Sequence, residues 1–292
     1  MNEKRLINLN YLNILEIVGE GAIDLLQGQL TCDLEKVNAE NPVLGALCNI
    51  KGRLISSFVI INPNLENPNK FWLIGPESMM IKTLTVLKKY SPFYKVEMSI
   101  MENKEFYGAK VEALKGFFPG YNIGDNQSDH KGNLILGYLD KNYKLIITNK
   151  NNIALKGAED VTSNLEDWFL DNFYNKDVEI TEDLSEKLTP HEINYDLTGR
   201  VDFEKGCYTG QEIVARMHYR AKNLPRLYLA EGSNGLTEDN MSIEDQSGKR
   251  IGSVIKALKH PNGNYALISI KTDKVEKSYK ISGSETLLTV SK

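Results

Sequence analysis

Past Lys222 the chain changes texture, and that change limits the fold more than any single motif. Short apolar strands at Arg226–Leu229, Met241–Ile243, Arg250–Leu258 and Tyr265–Ile270 alternate with polar turns at Ser247-Gly248 and Pro261-Asn262-Gly263-Asn264. Strands at this density, separated by turn residues, read as antiparallel pairs that close on themselves. A small antiparallel β-barrel is therefore expected from about Leu224 onward.

Upstream the pattern is mixed. Leu12, Ile14 and Ile17 alternate as in a strand, and Gly21 to Leu30 reads as a short helix with Ala22, Leu25, Leu26 and Leu30 inward. Gly45–Ile50, the turn Lys51-Gly52-Arg53 and Leu54–Ile61 form a hairpin signal. Asn62 to Lys70 is a loop, Phe71–Ile74 a buried strand, and Ser78 to Lys89 a helix with Met80, Ile81, Leu84 and Leu87 inward. Leu134–Tyr138 and Leu145–Ile147 read as a hairpin over Asp140–Asn142, and Asn164–Phe173 as a helix. There is no regular βαβ alternation, which points to an α+β fold. No internal repeat is visible.

The chain's 292 residues are enough for two domains, and 41% hydrophobic with 25% charged residues is ordinary for a soluble globular protein. A net charge of −4 gives no general attraction to nucleic acid or anionic membrane. No stretch approaches the ~20 apolar residues of a membrane span, and residues 1–10 lack a signal-peptide core. Three separated cysteines argue against a disulfide framework, and four scattered histidines suggest no metal cluster. A cytoplasmic, metal-free protein is expected.

The densest chemistry lies in Lys205-Gly206-Cys207-Tyr208-Thr209-Gly210-Gln211-Glu212, continuing through Ile213-Val214-Ala215-Arg216. Thr209 and Glu212 stand in the T-x-x-E relation of a capping box, so a helix is expected to begin at Gly210 and bury Ile213, Val214 and Met217. Cys207 then precedes a helix N-terminus, whose partial positive charge favours a thiolate. A structural cysteine in a tight turn fits the same pattern. A Cys207–His218 nucleophilic pair is disfavoured because the two positions are separated along one short helix. The basic run from Arg216 to Arg226 reads as a solvated face, a grip for an anionic ligand tail, or a contact for tRNA.

A second feature is Pro190-His191-Glu192-Ile193-Asn194-Tyr195-Asp196. A carboxylate lining an apolar cleft can accept two parallel hydrogen bonds from a heterocycle with an amino group beside a ring N–H, as in a pterin. An acidic surface loop is the simpler reading of these residues. The chain has no G-x-G-x-x-G, P-loop, G-x-S-x-G or H-E-x-x-H.

These residues together resemble the YgfZ-type folate-binding family, relatives of the aminomethyltransferase (T-protein) of the glycine cleavage system. Leu26–Asp33 resembles its L-Q-G-Q-x-T-x-D, Cys48–Arg53 its C-x-x-K-G-R, Pro190–Asp196 its P-H-E-x-x-x-D, and Lys205–Arg216 its K-G-C-Y-x-G-Q-E-x-V-A-R. The resemblance implies an aminomethyltransferase-like, tetrahydrofolate-binding α+β domain over residues 1–222, with room for two interleaved subdomains, and a barrel over 223–292.

It also implies an accessory role in maintaining or assembling iron–sulfur clusters in particular enzymes, among them radical-type tRNA methylthiolases. Direct tRNA contact is not part of that expectation. Cys207 would be the functional thiol, with Glu192, Lys205, Tyr208, Gln211 and Arg216 as folate-binding candidates. The aminomethyltransferase stretch N-x-x-G-G-x-x-D-D is matched by Asn49–Ser57, where Ser56 and Ser57 replace both aspartates. A serine supplies no carboxylate there, so the alternative, a folate-dependent one-carbon transferase, is disfavoured.

Overall fold

The structure, a computed structural model, describes residues 6–38, 41–63, 66–122, 125, 127–130, 132–137, 139, 141–150, 165–233, 241–245, 247–276, 278–282 and 286–290. Its first part comprises β1 (Ile7–Asn8), β2 (Leu12–Val18), α1 (Ala22–Gln29), β3 (Val43–Cys48), β4 (Leu54–Ile61), β5 (Lys70–Pro76) and α2 (Glu77–Leu87). Next come α3 (Ser91–Tyr94), β6 (Glu97–Ile100), β7 (Lys104–Lys110), α4 (Val111–Phe117), β8 (Gln127–His130), β9 (Asn133–Leu136), β10 (Tyr143–Asn149) and α5 (Leu165–Tyr174). A long irregular segment leads to α6 (Gln211–Arg220) and then to β11 (Pro225–Gly232), β12 (Ser242–Glu244), β13 (Arg250–His260), β14 (Gly263–Lys271), β15 (Ser278–Ile281) and β16 (Leu287–Val290).

The strands form two five-stranded sheets, ordered β3-β4-β5-β2-β6 and β8-β9-β10-β7-β1, and a closed barrel, β11-β14-β13-β12-β15-β16. Among the described residues every strand ladder is antiparallel. The α+β class and the C-terminal barrel expected from the sequence are both present. Closure removes the bare edges that short strands otherwise expose. β15 and β16 complete the barrel from segments whose short alternation is hard to read alone.

The two open sheets are topological copies. β2–α1–β3–β4–β5–α2 and β7–α4–β8–β9–β10–α5 follow the same path. The strand preceding each unit crosses to the other's sheet: β1 pairs with β7, and β6 with β2. The repeat escapes a reading of the sequence because only the path is duplicated. Between the sheets Ile14, Val59, Ile61 and Ile74 pack against Phe106, Leu145, Ile147 and Trp168. A second core runs from the first sheet through Val178, Ile180, Ile193 and Tyr195 to Leu227, Ile255 and Leu267 of the barrel.

β2, the β3–β4 hairpin, β5, the β9–β10 pair and β11 to β14 lie where the pattern placed strands, and α1, α2 and α5 where it placed helices. Tyr138, Asp140 and Asn164 lie outside the described residues. The face of α2 differs from expectation. Met79, Met80, Thr83 and Leu87 are inward, whereas Ile81 is 49% exposed. Thr83 can be buried because its hydroxyl donates to the Met79 carbonyl (2.7 Å) and meets the Ser56 hydroxyl (2.6 Å). A polar residue satisfied in this way does not mark the solvent face.

Candidate functional site

The four motif segments, far apart in sequence, converge. Gln27 ties its own segment down by donating to Asp33 (2.8 Å) and accepting the Leu34 N–H (2.8 Å). The Lys205 ammonium is buried and donates to the carbonyls of Gln27 and Leu30, both at 2.7 Å. Thr209 donates to the Gln29 side chain (3.0 Å), and Arg53 pairs with Glu192 (3.4 Å) while donating to the Lys187 carbonyl (2.6 Å). A Cβ on Gly210 would come within 2.4 Å of the Asn49 carbonyl oxygen, and one on Gly52 within 3.0 Å of Ile213. The two glycines let the Lys51-Gly52-Arg53 turn lie directly on the start of α6.

The capping box expected at Thr209 and Glu212 is absent. The helix begins at Gln211 behind Gly210, whose φ of +85° is the left-handed conformation that glycine tolerates. Thr209 is drawn instead to Gln29, and along α6 only Val214 is fully buried. Ile213 is exposed and Met217 half-buried, because α6 rests on a narrow strip of the protein.

The capping box lies elsewhere, at Thr189 and Glu192, with Pro190 at the first helical position. Glu192 accepts both the N–H (2.7 Å) and the hydroxyl (2.8 Å) of Thr189. The sequence signal was Thr189-Pro190-His191-Glu192, a box with proline at its preferred place.

Cys207 is exposed, whereas Cys32 and Cys48 are buried, with their thiols pushed up to about 12 by desolvation. Burial also pushes the Lys205 ammonium below its ordinary value, and the ammonium lies over the Tyr208 ring, 5.2 Å from its centroid. Tyr208 is buried with its hydroxyl unbonded, Gln211 is half-buried and Arg216 is exposed. Thus Lys205, Glu192 and Thr209 build the frame, and the free thiol stands on it.

A second locus lies where sheets and barrel meet. A cavity of about 290 Å³ is lined by Tyr11, Phe169, Phe173, Glu179, Lys256 and Leu267, among others. Glu179 also borders a small void beside Ser57, Gly75 and Arg200. The Tyr11 hydroxyl donates to both Glu179 oxygens (3.1 and 3.0 Å) and accepts from the Trp168 indole (3.1 Å). Desolvation pushes the Glu179 carboxyl above its ordinary range.

Beside it, Asp177 is fully buried between Lys141 (2.6 Å) and Arg200 (2.7 Å). Burial opposes its charge, yet the two cations hold its carboxyl well below the usual range. The sequence reading missed this pair. The available signal was Asp177-Val178-Glu179-Ile180, two acids alternating with residues that proved to be core.

Of the serines that replace the transferase aspartates, Ser56 turns to Thr83, and Ser57 accepts the Ile180 N–H (3.0 Å) at the small void. Neither hydroxyl is idle.

The histidines are less scattered in space than in sequence. His191 and His218 meet at Asp196, their ligand atoms all within 4.8 Å of one another. Arg226 pairs with the other Asp196 oxygen at 2.5 Å, which removes it from the basic run as a ligand grip.

No family model matches the chain. The chain is 31% identical over 277 residues to the tRNA-modifying protein YgfZ of Photorhabdus laumondii subsp. laumondii, covering 89% of this chain and 82% of the relative. It is 25% identical over 285 residues to that of Aliivibrio fischeri, covering 96% and 88% of the two chains. With that of Escherichia fergusonii it shares 27% over 286 residues, 93% and 86% of the chains. Among solved structures it resembles the glycine cleavage system aminomethyltransferase T from Bartonella henselae with a TM-score of 0.75 and 14% identity, over 99% of this chain and 85% of that one. This second likeness concerns the fold alone.

Proposed function

This chain belongs to the YgfZ family, and from that premise we propose that it is a tetrahydrofolate-binding accessory protein of tRNA modification. The observation that carries the folate reading is Glu179, a part-buried carboxylate at the junction of two cavities in an aminomethyltransferase T fold. A carboxylate offers about four acceptor positions, so the single Tyr11 hydroxyl leaves capacity for two parallel donors from a pterin edge. Phe169 and Phe173 supply apolar walls for a flat ring.

Our reading assigns the pterin to Glu179 rather than Glu192, whose carboxylate is occupied by Thr189 and Arg53. It also releases Lys205 from folate contact, since its ammonium is spent on two carbonyls. Tyr208, Gln211 and Arg216 then belong with the thiol.

The finer role is that of a helper of iron–sulfur enzymes in the cytoplasm, radical-type tRNA methylthiolases included. Cys207 is its working thiol, presented to a partner on a rigid frame. Among the described residues no helix is long and apolar enough to cross a membrane. One-carbon transfer is the weaker reading, because an acid is missing at Ser56 and Ser57 and both hydroxyls are already bonded.

Titration with tetrahydrofolate, followed by calorimetry, tests the folate reading. Glu179→Gln should weaken binding roughly tenfold or more, the size of a lost charge-assisted hydrogen bond, and Glu192→Gln should not. Equal binding by wild type and Glu179→Gln would overturn the assignment.

A further inference from the structure

His191 is a fully buried imidazole with neither ring nitrogen hydrogen-bonded. One oxygen of the buried Asp196, Oδ2, is likewise without a hydrogen-bond partner. The two groups face each other, His191 Nε2 standing 3.7 Å from Asp196 Oδ2. His218 Nδ1 approaches the same oxygen to 3.8 Å from the last turn of α6. Native interiors rarely leave buried polar atoms unbonded, and each such atom calls for a reason.

We propose that His191, Asp196 and His218 form a binding site for a divalent first-row transition ion of the zinc type. Two imidazoles and a carboxylate are a donor set such ions favour, and three protein ligands leave room for water. Ligands around a tetrahedral zinc ion stand roughly 3.4 Å apart. The two histidine–aspartate separations, 3.7 and 3.8 Å, are close to that, and the two imidazoles, within 4.8 Å of each other, would draw together on the ion.

Burial favours the neutral form of His191, which keeps a lone pair available to a metal. The His218 ring lies flat on Phe203 with centroids 3.8 Å apart, which fixes the plane in which Nδ1 points. Its side chain is 35% exposed, so the ion has a route in from solvent. Arg226 holds Asp196 Oδ1 at 2.5 Å, leaving Oδ2 for the ion. The guanidinium opposes a second positive charge nearby, so the site suits moderate rather than very tight affinity.

Tag-free protein, stripped with chelator, is titrated with Co2+ alone and separately with Zn2+. Wild type should show a visible d–d spectrum that saturates at one Co2+ per chain, and Zn2+ should abolish it while raising Tm. His218→Ala, which removes a partly exposed ligand, should weaken Co2+ binding at least tenfold, as should His191→Asn if it folds. Cys207→Ser must keep the spectrum, because the exposed thiol is the competing soft ligand. A spectrum lost in Cys207→Ser and retained in His218→Ala overturns the site. So does the absence of any saturating spectrum in wild type.

Discussion

Thr209 donates its hydroxyl hydrogen to Gln29 across 180 positions of sequence. That contact pins the loop bearing Cys207 to the C-terminal end of α1. Thr209→Val keeps the shape and removes the donor, leaving the buried Gln29 acceptor without this hydrogen bond. A loss of about 1 kcal/mol in urea unfolding is expected. Modification of Cys207 by an aromatic disulfide should also quicken. Unchanged stability and unchanged thiol kinetics would show the contact to be incidental.

The three cysteines should separate cleanly by reactivity. Native protein treated with iodoacetamide should carry one label, at Cys207, while Cys32 and Cys48 react only after unfolding. Peptide mass spectrometry reads the positions. In a strain lacking its own YgfZ protein, Cys207→Ser should fold yet fail to restore tRNA methylthiolation. Full rescue would remove the thiol from the proposed function.

Gly210→Ala should be among the most damaging single changes outside the cores. It places a side chain in a left-handed conformation and drives Cβ within 2.4 Å of the Asn49 oxygen. Backbone strain alone costs about 1–2 kcal/mol, and the clash adds to it. Tm should fall by several degrees, whereas Gly206→Ala, which meets open space, should barely move it.

Asp177 and Glu179, two residues apart, should give opposite pH signatures. The folded carboxyl of Asp177 lies below its unfolded value, so its stabilisation is present above the unfolded value and is lost as pH falls through the acid range. Asp177→Asn removes the buried carboxylate that Lys141 and Arg200 share, and breaking a buried ion pair typically costs ~3–5 kcal/mol. Glu179 is raised, so the folded state holds its proton longer and stability falls as pH rises from the unfolded value through the folded one. Glu179→Gln should therefore gain stability relative to wild type at neutral pH and not below pH ~4, as Tm against pH will report.

Much of this was legible in the chain, for physical reasons. The β3–β4 hairpin announced itself through Lys51-Gly52-Arg53, and the barrel through its turns, because local turn chemistry and period-two patterning need no distant partner. The inward face of α2 was misjudged because the Thr83 hydroxyl is satisfied inside the protein, by the Met79 carbonyl of its own helix and the Ser56 hydroxyl of β4. Thr209 matched a capping pattern but found a better partner in Gln29, while the working box at Thr189 and Glu192 was read as a ligand site. Glu179 and the meeting of His191 with His218 depend on how β1, α6 and the barrel close around the middle segment, and no local pattern encodes that.

The crossing of β1 and β6 between the two copied sheets has a mechanical consequence. Each sheet ends on a strand borrowed from the other unit's lead-in, so neither unit can detach without stripping an edge from its twin. The lobes are clasped rather than merely apposed. A cut in the chain between β5 and β6 should therefore leave two fragments that stay together and unfold as one, and the carboxylates at the seam inherit that rigidity.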